Sequence, residues 1–87
     1  MLIKFEQWLN QQGYTTVKVQ AKISVYERGR KIRDVHTEAI ESENFLCLYE
    51  PSIDEIQVFE ILSKTKNNYK VYWHSNWFSE GNQFELS

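Results

Sequence analysis

A stretch of nine residues in the first third of the chain alternates apolar and polar side chains without an exception. It runs from Val17 to Val25 and leads into Glu27-Arg28-Gly29-Arg30. Alternation with a period of two places every apolar side chain on one face of a β-strand. A glycine just beyond such a strand supplies the positive φ that closes a hairpin. The chain is therefore predicted to contain an antiparallel sheet with one buried face.

Length, charge and cysteine content narrow the class of protein. The 87 residues leave room for one domain, 1–87, with one core. A net charge of −2 argues against a general binder of nucleic acid or anionic membranes. The single Cys47 excludes an internal disulfide and fits a reducing compartment, and the first residues are too charged for a signal peptide. No apolar run approaches the roughly 20 residues of a membrane span, so we expect a cytoplasmic protein without membrane contact.

The first residues of the chain are typical of an amphipathic helix over 2–12. Apolar side chains recur there at helical spacing and form one stripe: Leu2, Phe5, Trp8 and Leu9. Gly13 follows as the residue that ends the helix, with Tyr14 folding back on the last turn. Ile3 points away from the stripe and is expected to be exposed. Because a helix of this length is marginal in water, it must dock on the sheet.

The first predicted hairpin allows two registers. The first has a type I turn at Glu27-Arg28 with Gly29 in the left-handed conformation. It pairs Lys22 with Asp34 and Lys18 with Glu38 on the outer face. On the inner face it pairs Ala21 with Val35 and Val19 with Thr37. A two-residue turn at Arg28-Gly29 would instead place Ile23 opposite Asp34 and Val19 opposite Glu38. The second register buries two carboxylates without partners, so we predict the first.

The rest of the chain is predicted to form three more strands and a final hairpin. After a polar turn at 41–44, the continuous apolar run 45–49 indicates a strand that is apolar on both faces, and 51–54 turns again. Strands over 56–63 and 69–75 form a second hairpin around 66–68. In that hairpin we expect Ile56, Val58 and Leu62 to share one face with Val71 and Trp73, and Phe59 and Ile61 to share the other with Tyr72 and His74. Glu80-Gly81-Asn82 could add a turn that pairs Trp77-Phe78 with Gln83-Phe84.

These elements predict an α+β fold, with one N-terminal helix packed on a curled antiparallel meander of five or six strands. One helix covers only one face of such a sheet, whereas the second hairpin is apolar on both faces. The uncovered face must therefore curl towards a barrel or pack on a partner chain.

Aromatic residues near the C-terminus are the best functional lead. Six of the thirteen aromatic side chains lie between Tyr69 and Phe84, and tryptophan and tyrosine are enriched in interface hot spots. Alternation must send about half of these rings into the core. The predicted interface comprises Phe59, Ile61, Tyr69, Tyr72, Trp73, Trp77 and Phe78.

A second, competing lead is the basic tip of the first hairpin. Arg28, Arg30, Lys31 and Arg33 could contact phosphates or another anion. Turns are normally charged, however, and nearby acidic residues neutralise much of this field. Only Tyr26 interleaves with the basic residues, so no platform for base stacking is evident.

The sequence contains no pattern typical of catalysis, a metal site or a cofactor. His36, His74 and Cys47 are the only soft metal ligands, and none belongs to a pair with ligand spacing. Cys47 fits a buried small hydrophobe. No nucleophile motif or glycine-rich phosphate loop is present.

We therefore expect a small non-catalytic binding protein that acts through its aromatic sheet face, with a second copy of itself or another protein as partner. The alternatives are binding of nucleic acid or an anion at the basic hairpin, and binding of a small apolar ligand in a cleft between helix and sheet. A short chain with few motifs would suit an accessory gene of a phage, plasmid or integron, an expectation from size alone.

Overall fold

The computed structural model describes residues 1–87, which form one helix followed by six strands. The elements are α1 (Leu2–Gln11), β1 (Val17–Glu27), β2 (Arg30–Ser42), β3 (Phe45–Glu50), β4 (Glu55–Thr65), β5 (Asn68–Glu80) and β6 (Gln83–Leu86). Each strand pairs antiparallel with the next in chain order. The predicted α+β meander is confirmed.

Helix α1 ends as the sequence predicts. The amide of Gly13 donates to the carbonyl of Asn10 and that of Tyr14 to the carbonyl of Leu9, which are the two bonds of a Schellman motif. Gly13 has φ of 94°, a value that glycine adopts without strain. Ile3 is exposed, as expected.

The sheet closes on itself. In addition to its antiparallel pairing with β2, β1 pairs in parallel with β5 from Lys22 to Tyr26. This seam turns five strands into a small barrel, while β6 extends β5 on the outside. This closure covers the second apolar face. The sequence left two ways to cover that face, a barrel or a partner chain, and the structure shows the barrel.

Two apolar clusters follow from this architecture. The barrel interior contains ten buried side chains, of which Ile23, Leu46, Phe59 and Val71 are among the most enclosed. The outer face carries a second cluster in which the helix stripe packs on the sheet. Strand β3 supplies both clusters, Leu46 and Leu48 inside and Cys47 outside, so its prediction as a strand apolar on both faces is confirmed.

The predicted register of the first hairpin is wrong by two residues. Arg28 and Gly29 form a two-residue turn with φ of 53° and 78°, as in the type I′ turns that match strand twist. The observed pairs include Ile23 with Val35, Lys22 with His36 and Val19 with Ala39; Lys22 does not face Asp34, nor Lys18 Glu38.

The faces of this hairpin are nevertheless as predicted. Ile32 has no partner on β1, because Tyr26 pairs with Lys31 and Val25 with Arg33. This β-bulge shifts the register by one residue and returns the apolar side chains to the inner face. The tight turn therefore buries no carboxylate, because the bulge leaves Asp34 and Glu38 on the outer, exposed face.

The predicted faces of the second hairpin are wrong on β5. Val71 packs inside the barrel with Phe59 and Ile61, not on the face of Ile56 and Val58. Two bulges cause this: Leu62 is an extra residue on β4, and His74 is one on β5. Each bulge inverts the alternation of side chains relative to the partner strand. It also bends the strand that contains it, and this bend helps a five-stranded sheet to close.

Trp77 and Phe78 do pair with β6 across a hairpin that turns at Gly81, where φ is 62°. Their partners are Leu86 and Glu85, so the predicted pairing with Gln83-Phe84 is shifted by two residues.

Candidate functional site

The end of the β1–β5 seam carries the main exposed apolar surface of the barrel. Pairing between the two strands stops at Tyr26 and Tyr72, and a shallow groove of about 600 Å³ opens beyond that point. We call this the seam groove. Its lining residues are Val25, Tyr26, Glu27, Arg28, Gly29, Ile32, Leu62, Tyr72 and Trp73.

Strand bulges bring the apolar side chains to this groove. Ile32 and Leu62 are bulge residues, and Trp73 directly precedes the bulge at His74. Ile32, Leu62 and Trp73 are each more than half exposed, at 55%, 54% and 55%. Large side chains exposed together, as opposed to scattered singly, are typical of an interaction surface.

The polar side-chain atoms of Trp73 and Tyr72 already have partners within the protein. Trp73 Nε1 donates to Asn76 Oδ1 at 2.6 Å, and the Tyr72 hydroxyl donates to Glu60. That hydrogen bond to the carboxylate, together with partial burial and the negative charge, raises the pKa of Tyr72. What these rings offer to a partner is therefore their apolar faces.

The basic residues of the first hairpin do not act as one free cluster. Lys31 Nζ lies 3.1 Å from Asp34 Oδ2, and Arg33 donates to Gln57 Oε1 at 3.0 Å. Arg28 and Arg30 make no ion pair, and Arg28 borders the seam groove. Two uncommitted guanidinium groups thus remain at the hairpin tip.

The free edge of β2 gives these charges a structural role. β2 pairs with β3 only over Ile40–Ser42, so the residues before Ile40 leave one edge of the strand unpaired. Charged side chains and bulges are the usual protection of such an edge against pairing with other chains. Protection of this edge is the role that fits Arg30, Lys31, Arg33 and the bulge at Ile32.

The structure divides the predicted interface residues into three groups. The first group is buried in the barrel and comprises Phe59, Ile61 and Tyr69, with exposed fractions of 1%, 8% and 3%. Their prediction as interface residues is wrong, because closure of the sheet places them inside. Trp77 and Phe78 are half-buried beside β6. Tyr72 and Trp73 are exposed and lie in the seam groove.

Ile32 and Leu62 were missed as candidate site residues. Ile32 is out of phase with the inner-face residues of β2, and Leu62 directly follows the apolar Ile61. An apolar residue out of phase with strand alternation is the signal that could have identified both bulges.

A second concave site lies between α1 and the outer face of the sheet. We call this opening of about 280 Å³ the helix–sheet cleft. It is lined by α1 and the loop that follows it, by the end of β2 and the β2–β3 turn, and by strands β3, β4 and β5. The residues are Phe5, Trp8, Leu9, Tyr14, Ser42, Glu43, Phe45, Cys47, Val58, His74, Ser75 and Trp77.

Cys47 lies in this cleft as a buried apolar group. Desolvation by burial raises the pKa of its thiol to about 12, so the reactive thiolate is scarce at neutral pH. His36 on β2 is exposed and does not line the cleft, whereas His74 does. The structure contains no group of three or more His, Cys, Asp or Glu side chains placed to hold a metal ion.

Comparison of the chain with models of protein families, with curated proteins and with solved structures found no match. None of its helices has the length and apolar character needed to cross a membrane.

Proposed function

We propose that this protein is a non-catalytic interaction module that binds an apolar segment of a partner protein in the seam groove. The observation that carries the proposal is the joint exposure of Ile32, Leu62 and Trp73 around one concave surface. Tryptophan, tyrosine and arginine dominate interface hot spots, and this groove is lined by Trp73, two tyrosines and Arg28.

Charge favours a partner segment that also carries acidic residues. Arg28 and Arg30 at the hairpin tip have no ion-pair partner within the chain, and they outnumber Glu27, the one carboxylate that lines the groove without such a partner. Of the other acidic residues nearby, Glu60 accepts a hydrogen bond from Tyr72 and Asp34 pairs with Lys31. An aspartate or glutamate next to the apolar residue of the partner could therefore reach a free guanidinium, and carboxylate recognition by arginine can be bidentate.

A second copy of the chain is a weaker candidate for the occupant. A homodimer was expected to cover an apolar face of the second hairpin, but the β1–β5 seam covers that face within one chain. At the groove the free guanidinium groups of Arg28 and Arg30 outnumber the free carboxylate of Glu27, so two copies would bring a net positive charge together. We therefore favour a different protein as the partner.

Selection from a displayed library of random peptides on the immobilised protein tests this function. We expect enrichment of peptides in which an aromatic or large aliphatic residue is flanked by aspartate or glutamate. Trp73→Ala should weaken their binding at least about tenfold, or 1.4 kcal/mol. Arg28→Ala with Arg30→Ala should weaken it by a smaller factor that shrinks further as salt is raised.

The matched control is Ile53→Ala, which removes another exposed large hydrophobic residue outside the groove and should leave binding unchanged. Absence of enriched peptides, or binding that Trp73→Ala does not alter, would overturn the proposal. Sedimentation that depends on concentration and is abolished by Trp73→Ala would replace the partner protein by a second copy. Salt-dependent binding of single-stranded or duplex DNA that Arg28→Ala with Arg30→Ala abolishes would replace it by nucleic acid.

A further inference from the structure

We propose that the helix–sheet cleft is a binding site for a small, uncharged aromatic molecule of two fused rings. The cleft has a volume of about 280 Å³. An apolar cavity of about 150 Å³ is large enough to hold benzene, so this cleft has room for roughly twice that ligand. The site is separate from the seam groove and does not depend on the function proposed for it.

Two aromatic pairs line the cleft. The rings of Trp8 and Trp77 lie with centroids 5.7 Å apart, and Phe45 and His74 meet edge to face at 5.1 Å. Ring pairs at these separations can accept a further ring by stacking or edge contact. A planar aromatic ligand therefore fits the shape and the chemistry of these walls better than a branched aliphatic one.

The floor of the cleft is apolar and its inner polar atoms are already paired. Cys47 and Val58 are buried and line the cleft from β3 and β4. Ser75 Oγ accepts a hydrogen bond from Trp77 Nε1 at 2.9 Å and lies 3.0 Å from His74 Nδ1. A ligand that enters thus displaces water from apolar surface and breaks no hydrogen bond of the protein.

Polar atoms without a partner in the protein remain available to a ligand, and His74 supplies one of them. His74 is exposed and uses Nδ1 for Ser75, which leaves Nε2 without a partner in the protein. Depending on the ring tautomer, that nitrogen can accept from a ring N–H or hydroxyl of the ligand or donate to an oxygen or ring nitrogen of the ligand. Glu43 is the only acidic residue that lines the cleft, and its charge disfavours an anionic ligand.

The three tryptophans of the chain report on the two sites separately. Trp8 and Trp77 line the cleft, and Trp73 lines the seam groove. Titration of ¹⁵N-labelled protein with unlabelled indole should therefore shift the side-chain N–H signals of Trp8 and Trp77 to saturation and leave that of Trp73 in place. Indole carrying a carboxylate should bind several-fold more weakly, because Glu43 repels it.

Two variants test the location. Leu9→Phe fills the cleft from the helix and should weaken indole binding about tenfold, and Phe45→Ala removes a wall and should also weaken it. The matched control, Leu62→Phe, makes the same change in the seam groove and should not affect indole binding. A lack of saturable shifts up to the solubility limit of indole, equal shifts of all three tryptophans, or binding unchanged in both cleft variants of folded protein would overturn the proposal.

Discussion

The barrel interior and the layer under helix α1 are both apolar, but they are held together differently. The interior is enclosed by backbone hydrogen bonds between neighbouring strands, including the parallel seam between β1 and β5, although β2 before Ile40 leaves an edge unpaired. The helix is attached to the sheet mainly through side chains, in an aromatic cluster where Phe5 meets Phe84 edge to face at 4.9 Å. A closed backbone network leaves little room for a ligand, whereas a layer docked by side chains leaves the helix–sheet cleft beside it.

This difference predicts that the barrel and the helix layer contribute unequally to the stability of the protein. Regions with fewer interlocking contacts open at lower free energy than the most protected core. The helix also lacks a side-chain bond at its N-cap and has no acidic residue in its first turn, so its own sequence stabilises it little. We expect the barrel to set global stability and the helix layer to open separately.

The largest expected effect is in the barrel. Phe59 is 1% exposed, and Phe59→Ala should lower the free energy of unfolding by about 3–5 kcal/mol, a large share of the roughly 5–15 kcal/mol typical of a domain. Urea unfolding followed by circular dichroism measures this loss. Leu62→Ala, on the same strand but exposed, should change stability by no more than about 0.5 kcal/mol. Comparable losses in the two variants would show that the interior is not the main source of stability.

A smaller effect is expected in the helix layer, although the deleted side chain is as well buried. Phe5 is 2% exposed, yet Phe5→Ala should cost no more than about 3 kcal/mol, because the helix can detach while the barrel stays closed. Hydrogen exchange should then show lost protection in α1 and retained protection in β1 and β5. Ile3→Ala, on the exposed side of the helix, is the control. Uniform loss of protection across the chain would mean that helix and barrel open as one unit.

The smallest expected effect concerns a polar contact at the edge of the barrel interior. The hydroxyl of the buried Tyr69 donates to Glu41 Oε1 at 2.7 Å, and Lys64 bonds the other oxygen of that carboxylate. Desolvation raises the pKa of Glu41, but the bonds from Lys64 and Tyr69 outweigh this effect and leave it below the ordinary value. Tyr69→Phe should lower the free energy of unfolding near neutral pH by about 1.5 kcal/mol.

The same contact predicts a dependence on alkaline pH. Desolvation and the neighbouring Glu41 raise the pKa of Tyr69 to about 12, from 10.0 for a free tyrosine. Because the folded state holds Tyr69 neutral, this contribution is complete below pH 10 and is lost as the pH rises from 10 to 12. Urea midpoints should therefore fall less over this range in Tyr69→Phe than in the parent. Tyr14→Phe removes an exposed hydroxyl that makes no hydrogen bond to a carboxylate, and it should retain the parent's pH dependence.

Local patterns in the sequence determined much of the architecture. The stripe of α1 and the glycine at its end predicted a helix that stops where the Schellman motif is observed. Alternation in β1 predicted which side chains face the core, and these faces survive a register error of two residues because side chains repeat with a period of two. The apolar run of β3 predicted a strand shared by two cores.

Only the tertiary structure decided which aromatic and aliphatic side chains are available for binding. Bulges at Ile32, Leu62 and His74 change the faces that paired strands present to each other, and the β1–β5 seam joins strands far apart in the chain. Phe59, Ile61 and Tyr69 become core in this way, while Ile32 and Leu62 become surface. The physical reason is that an out-of-phase apolar residue indicates a bulge, but the strand that pairs with it and the bend of the closed barrel depend on residues far away in the chain.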